Sequence, residues 1–156
     1  MKKLNKIFAG LATVIFMSGC ATPNYQGNLD CNLPVQEMAR KTLDILEQEK
    51  YTILTASDIM ITAESEEWFK VFQGMQRISW VIRIQENKII GTASLITRKV
   101  GDSQASDMYT LNDDAGENLT EYWRVRRKLE KICNNTMIII DTRKTVKTDE
   151  DDEFKK

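Results

Sequence analysis

The sequence contains no histidine. That removes the commonest general base, the commonest zinc ligand and the usual partner of a serine or cysteine nucleophile. Asp44, Ser57, Ser79, Ser94 and Tyr109 therefore cannot be assembled into a nucleophile–base–orienter set, and no spacing supports a Ser–Lys pair. There is no glycine loop of the phosphate-binding type and no cluster with metal-ligand spacing. No charge sign dominates: 22 basic residues stand against 23 acidic ones, a formal net charge of −1. That balance does not fit a nucleic-acid binder. The chain is thus expected to be non-enzymatic, with no catalytic residue, no metal and no cofactor.

Long apolar runs are also missing. The longest, Ile7 to Phe16, is too short to span a bilayer comfortably. It follows Lys2, Lys3 and Lys6 and ends in Met17-Ser18-Gly19-Cys20, the order of a secretory signal. This stretch resembles the lipobox of bacterial lipoproteins, with Met17 where Leu is usual. The resemblance implies that residues 1–19 are a signal peptide and that Cys20 becomes the new N-terminus. Cys20 would carry a thioether-linked diacylglycerol, with palmitate the expected acyl type. The partner so implied is a membrane, reached through the lipid. Ala21 rather than Asp after the cysteine favours the outer membrane, facing the periplasm, with the inner membrane as the alternative.

Cysteine is scarce, at three residues. With Cys20 given to lipid, Cys31 and Cys133 remain as an even pair in an oxidising compartment, which predicts a disulfide.

Residues 20–30 hold Thr22, Pro23, Asn24, Gln26, Gly27 and Asn28, turn and coil formers without apolar period, and are expected to form a tether. The domain is placed at 31–141. Pro34 predicts a helix start, with Asn32 or Leu33 as cap. Val35, Met38, Ala39, Thr42, Leu43 and Leu46 define the apolar face of a helix over 34–49. Tyr51–Thr55 and Ile59–Ala63 read as short strands around a Ser57-Asp58 turn. Residues 64–76 carry Trp68, Phe69, Val71 and Phe72, which fit either a strand extension or a lid over one end of the core.

Residues 77–100 predict a β-hairpin turning at Glu86-Asn87. Its register sets Ile84 opposite Ile89, Ile82 opposite Gly91, Trp80 opposite Ala93 and Ile78 opposite Leu95, all on one face. Large residues meet small ones there, which leaves room for a helix. Arg77, Ser79, Val81 and Arg83 share the wetter face with Ile90, Thr92, Ser94 and Ile96. Residues 101–116 read as a polar loop, and Asp113, Asp114 and Glu117 as negative charge at a helix N-terminus. Leu119, Tyr122, Val125, Leu129 and Ile132 form the stripe of a second helix. Met137–Ile140 fits an edge strand or a strap, and 142–156 a disordered charged tail.

The expected fold is α+β: a four-stranded antiparallel meander with two helices packed on one face, in the order α-β-β-β-β-α. With four strands the second helix returns its C-terminus beside Cys31. With three it would leave the cysteines a helix length apart, roughly 22 Å, against the about 7 Å that a bridge allows. The stretch through Tyr51-Thr52-Ile53, Ser57-Asp58 and Ile61-Thr62-Ala63-Glu64 resembles small envelope lipoproteins with helix-grip-like α+β domains, such as those found among the lipoproteins of the β-barrel assembly machinery. That resemblance implies an interaction module and assigns no functional residue.

Two functions are expected. The first is a membrane-anchored envelope lipoprotein acting as a protein-interaction or scaffolding module. The alternative is a small-ligand or lipid-binding lipoprotein, with an apolar cavity lined by Trp80, Ile82 and Trp123. Arg124, Arg127, Lys128 and Lys131, with Arg126 beside them, form a basic stripe on the second helix suited to an acidic partner or to headgroups. Trp80, Trp123 and these four cations are the candidate contact residues.

Overall fold

A computed structural model describes residues 25–103, 107–116 and 119–143. The segment expected to be a signal peptide, Cys20, Glu117 and the chain from 144 onward lie outside the described residues. The fold is α+β, built on one antiparallel sheet of eight strands rather than four.

The expected meander is present as the middle of that sheet. Helix α1 (Val35–Gln48) leads into β2 (Thr52–Ala56), β3 (Met60–Glu64), β5 (Gly74–Gln85) and β6 (Lys88–Arg98), which are neighbours in that order. Four further strands enlarge it. β1 (Tyr25–Asp30) pairs with β6, and β8 (Ile138–Asp141) pairs with β1. β4 (Trp68–Lys70) pairs with the start of β5, and β7 (Asp107–Thr110) with the end of β6.

Two sequence expectations are corrected here. Residues 25–30 are not tether but a strand held on both sides. Gln26, Gly27 and Asn28 disfavour strands in isolation, and the ladders from β6 and β8 override that preference. Gly27 sits opposite Gly91, and a side chain added at Gly27 would run into Met137. The small residues are required there by close packing. Likewise 101–116 is not loop throughout, because β7 and the single turn α2 (Asp113–Gly116) lie within it.

The β5–β6 hairpin keeps the expected register, with Ile84, Ile82, Trp80 and Ile78 opposite Ile89, Gly91, Ala93 and Leu95. Asn87 takes the left-handed conformation at the turn, φ 59°. Its carbonyl accepts a hydrogen bond from the Cys31 amide at 2.9 Å. Both long helices pack on the face carrying Ile61, Ala63, Ile78, Trp80, Ile82 and Ile84. Among the described residues no helix lies over the other face. Val81 and Arg83 are exposed there, yet Ile90, Ser94 and Ile96 are buried, because β1 and β7 flank them as interior positions.

α1 buries Met38, Ala39, Thr42, Ile45 and Leu46. Its N-cap is Pro34 itself, without a side-chain cap, rather than Asn32 or Leu33. It ends with Lys50 left-handed at φ 62° and the Tyr51 amide donating to the Leu46 carbonyl, a Schellman closure. α3 (Thr120–Cys133) ends similarly at Asn134, φ 49°. It buries Tyr122, Val125, Arg126 and Leu129. Tyr122 stacks flat on Trp80 with ring centroids 5.5 Å apart. The bulky residue on β5 is thus met from above by a helix and from across by Ala93. Cys31 and Cys133 form a disulfide, with Cα atoms 4.6 Å apart. The even number of meander strands between the helices is what brings α3 back to Cys31.

Candidate functional site

The helices cover only half of the long hairpin. A 14-residue helix is about 21 Å long, whereas a 12-residue strand reaches about 40 Å. α1 begins beside the Glu86-Asn87 turn and α3 ends there, at the disulfide. Trp80 marks the level of the first turn of α3. Beyond it the ribbon projects, widened by β4 and β7.

The segment 64–76 resolves as the tip of this projection. β4 turns back into β5 through Val71-Phe72-Gln73, with the Gln73 amide donating to the Lys70 carbonyl at 3.0 Å. Phe72 is left-handed at φ 65° and its side chain is fully exposed. A bulky residue in that region carries strain on the order of 1–2 kcal/mol. Phe69, Val71, Val100, Met108 and Tyr109 are also exposed on this end. Phe69, Phe72, Val100 and Tyr109 border a groove of about 660 Å³ floored by Gln76 and Leu95 on the helix-bearing side. Glu67 anchors the tip from the opposite side. It accepts from Arg77 Nη1 at 2.8 Å and, through both oxygens, from the Arg98 fork at 3.3 and 2.5 Å. The hydrogen bonds from Arg98, then the one from Arg77, hold its carboxyl below the usual range. Arg98 is raised in turn by Glu67.

The second feature is on α3. Trp123 is half-buried, with the guanidinium of Arg126 4.7 Å from its ring centroid and that of Arg127 5.8 Å away. Thr120, Trp123, Arg124 and Arg127 line a shallow notch. Arg124 and Lys128 reach Glu49 at the end of α1, at 4.0 and 2.6 Å. Arg127 and Lys131 have no carboxylate partner among the described residues. The structure therefore brings Trp123, Arg124 and Arg127 together on one surface. Lys128 and Lys131 lie one turn further on, beside α1.

Trp80 does not belong to that surface. It is 1% exposed beneath Tyr122, and Ile82 is buried next to it. The space expected to hold an apolar cavity between Trp80, Ile82 and the helices is filled by side chains. Tyr51 Oη and Trp80 Nε1 are buried there without a hydrogen-bond partner among the described residues. Burial raises the Tyr51 hydroxyl; the nearby Trp80 indole offsets this only in part.

Arg126 is not one of the surface cations. It is 5% exposed and binds Asp113, Glu130 at 3.2 Å and the Met137 carbonyl at 2.9 Å. Burial lowers its pKa, but the hydrogen bond to Asp113 and the field of Tyr122 more than offset this, and the net shift is upward. The guanidinium thus ties α2, α3 and the approach to β8 together. Its position was open to sequence reasoning: Arg126 stands four residues after Tyr122 and three before Leu129, on the apolar stripe itself. Asp113 serves this pair rather than the start of α3, because α2 is a separate turn. Among the described residues no group of three or more metal-ligating side chains gathers, and no helix is long and apolar enough to cross a membrane.

Compared with known proteins, the chain matches no family model, no curated protein and no solved structure.

Proposed function

We propose that this chain is a bacterial envelope lipoprotein, held in the outer membrane by lipid on Cys20, whose domain faces the periplasm and acts without catalysis as a protein-interaction module. The observation that supports the partner role is the outward face of α3. Arg127 lies over the Trp123 ring, and neither it nor Lys131 is neutralised by a carboxylate among the described residues. An aromatic ring beside the Arg127 guanidinium, with the Lys131 ammonium one turn further on, suits an acidic segment of another protein, since Trp and Arg dominate the energetics of such contacts.

The test has two arms. Cys20→Ser is expected to release the protein from the membrane fraction and to abolish fatty-acid labelling. A photo-crosslinking side chain at Arg127, installed in intact cells, is expected to capture a discrete envelope protein. That capture should disappear when Arg124→Glu and Lys131→Glu are added. A probe at Arg127 that captures nothing, or captures equally well with the charges reversed, overturns the α3 contact.

A further inference from the structure

We infer that the projecting end of the β5–β6 ribbon, with Phe72 at its tip, rests on the same phospholipid surface that holds the lipid on Cys20. This rests on the lipoprotein reading and adds an orientation to it. Because Tyr25–Asp30 is strand rather than tether, only residues 20–24 separate the lipidated position from a rigid sheet. Five residues reach at most about 18 Å. The domain is therefore kept close to the bilayer, and the direction in which Tyr25 leaves the sheet decides which end is close.

β1 is antiparallel to β6, with Gly27 opposite Gly91, so the chain before Tyr25 departs from the level of Ala93 toward the end of β6. Tyr25 is held there by its pairing with Asp141 and by Arg143, whose Nη2 donates to its hydroxyl at 3.3 Å. From Ala93 to the end of β6 at Arg98 is roughly 17 Å. The Val71-Phe72-Gln73 turn lies just beyond, since Met75 pairs with Arg98. The furthest reach of Cys20 and the apolar tip thus fall at one level.

The chemistry at that level suits an interface. Phe69, Val71, Phe72 and Val100 are exposed, and Lys70 and Lys99 stand among them without a carboxylate partner among the described residues. Apolar side chains enter the headgroup–acyl boundary while lysines meet the phosphates. One point of lipid attachment leaves a domain free to turn about it, and a second membrane contact limits that freedom.

The experiment uses the full-length acylated protein in phosphatidylethanolamine–phosphatidylglycerol vesicles. One environment-sensitive fluorophore is placed on Phe72→Cys, on Val100→Cys or, at the opposite end of the hairpin, on Glu86→Cys. Lipids carrying a nitroxide on the acyl chain are then added to the vesicles. Labels at 72 and 100 are expected to shift to the blue and lose most of their emission, while the label at 86 keeps its own. Emission at 72 and 100 that stays water-like overturns the orientation. A blue shift without nitroxide quenching also overturns it, because protein then covers the tip. Acylation of Cys20 is read separately by mass spectrometry. A chain without lipid defeats the anchor, whereas an acylated chain with an unquenched tip defeats only the orientation.

Discussion

Glu67 shows how one residue sets the behaviour of a whole projection. Its carboxylate receives both arms of Arg98 and one of Arg77, and these bonds hold its pKa below the ordinary 4.5. A carboxyl depressed in the folded state stabilises above its unfolded value and loses that contribution as pH falls through the folded value. The stability gap between the native protein and Glu67→Gln is therefore expected to be full above pH 4.5 and to close as the solution is acidified below it. Thermal melts of both proteins across that range provide the check, and a gap that widens toward acid contradicts the role given to Glu67. Arg126 teaches the complementary lesson. A charge placed on an apolar stripe is tolerated because Asp113, Glu130 and the Met137 carbonyl meet it.

At the scale of elements, the β5–β6 hairpin was the most legible part of the chain. Alternation over two long strands leaves one register that buries Ile78, Trp80, Ile82 and Ile84 together, and a slip by one residue would expose all of them. Gly91 is the sensitive position within it. A Cβ there would lie 3.3 Å from the Trp80 ring and 3.7 Å from the Met137 methyl. Gly91→Val is expected to cost about 1–3 kcal/mol through overpacking. Thr92→Val, on the face without helices, should be nearly neutral. Chemical denaturation of the two variants ranks them, and the reverse order would mean that the buried face is wrongly assigned. β1, β4 and β7 were not legible. Each is short, and its strand character comes from the neighbour it pairs with. β1 contains Gly27 and Asn28, and β7 lies in a polar stretch. The tip at Phe72 was visible only as apolar weight, because nothing in its spacing says whether Phe69 and Phe72 face core or solvent.

For the molecule as a whole, the disulfide closes the structure near its two ends. It joins residues 102 positions apart. In the chain-entropy account a loop of that size stabilises by up to about 4–5 kcal/mol, with about 2–4 typical of measured bridges. Replacing both cysteines, Cys31→Ser with Cys133→Ser, is expected to lower unfolding free energy within that typical range while preserving the fold. Denaturant titration and far-ultraviolet circular dichroism read the two parts. Peptide mapping without reductant should recover residues 31 and 133 as one linked pair. Two free thiols in protein purified without reductant would contradict both the bond and the return of α3 to Cys31.

The sequence alone determined the two long helices and the β5–β6 hairpin, because their spacing recurs over ten or more residues, and it left Cys31 and Cys133 as the even pair. The tertiary structure alone decided which groups meet Arg126, that residues 25–30 belong to the sheet, and that exposed apolar side chains gather on the end from which Tyr25 leaves. The reason is physical. Short strands take their conformation from their partners, and a charged residue takes its role from the groups that fold around it. Which end of a sheet lies next to an anchor follows from strand direction, and that exists only once the chain has paired.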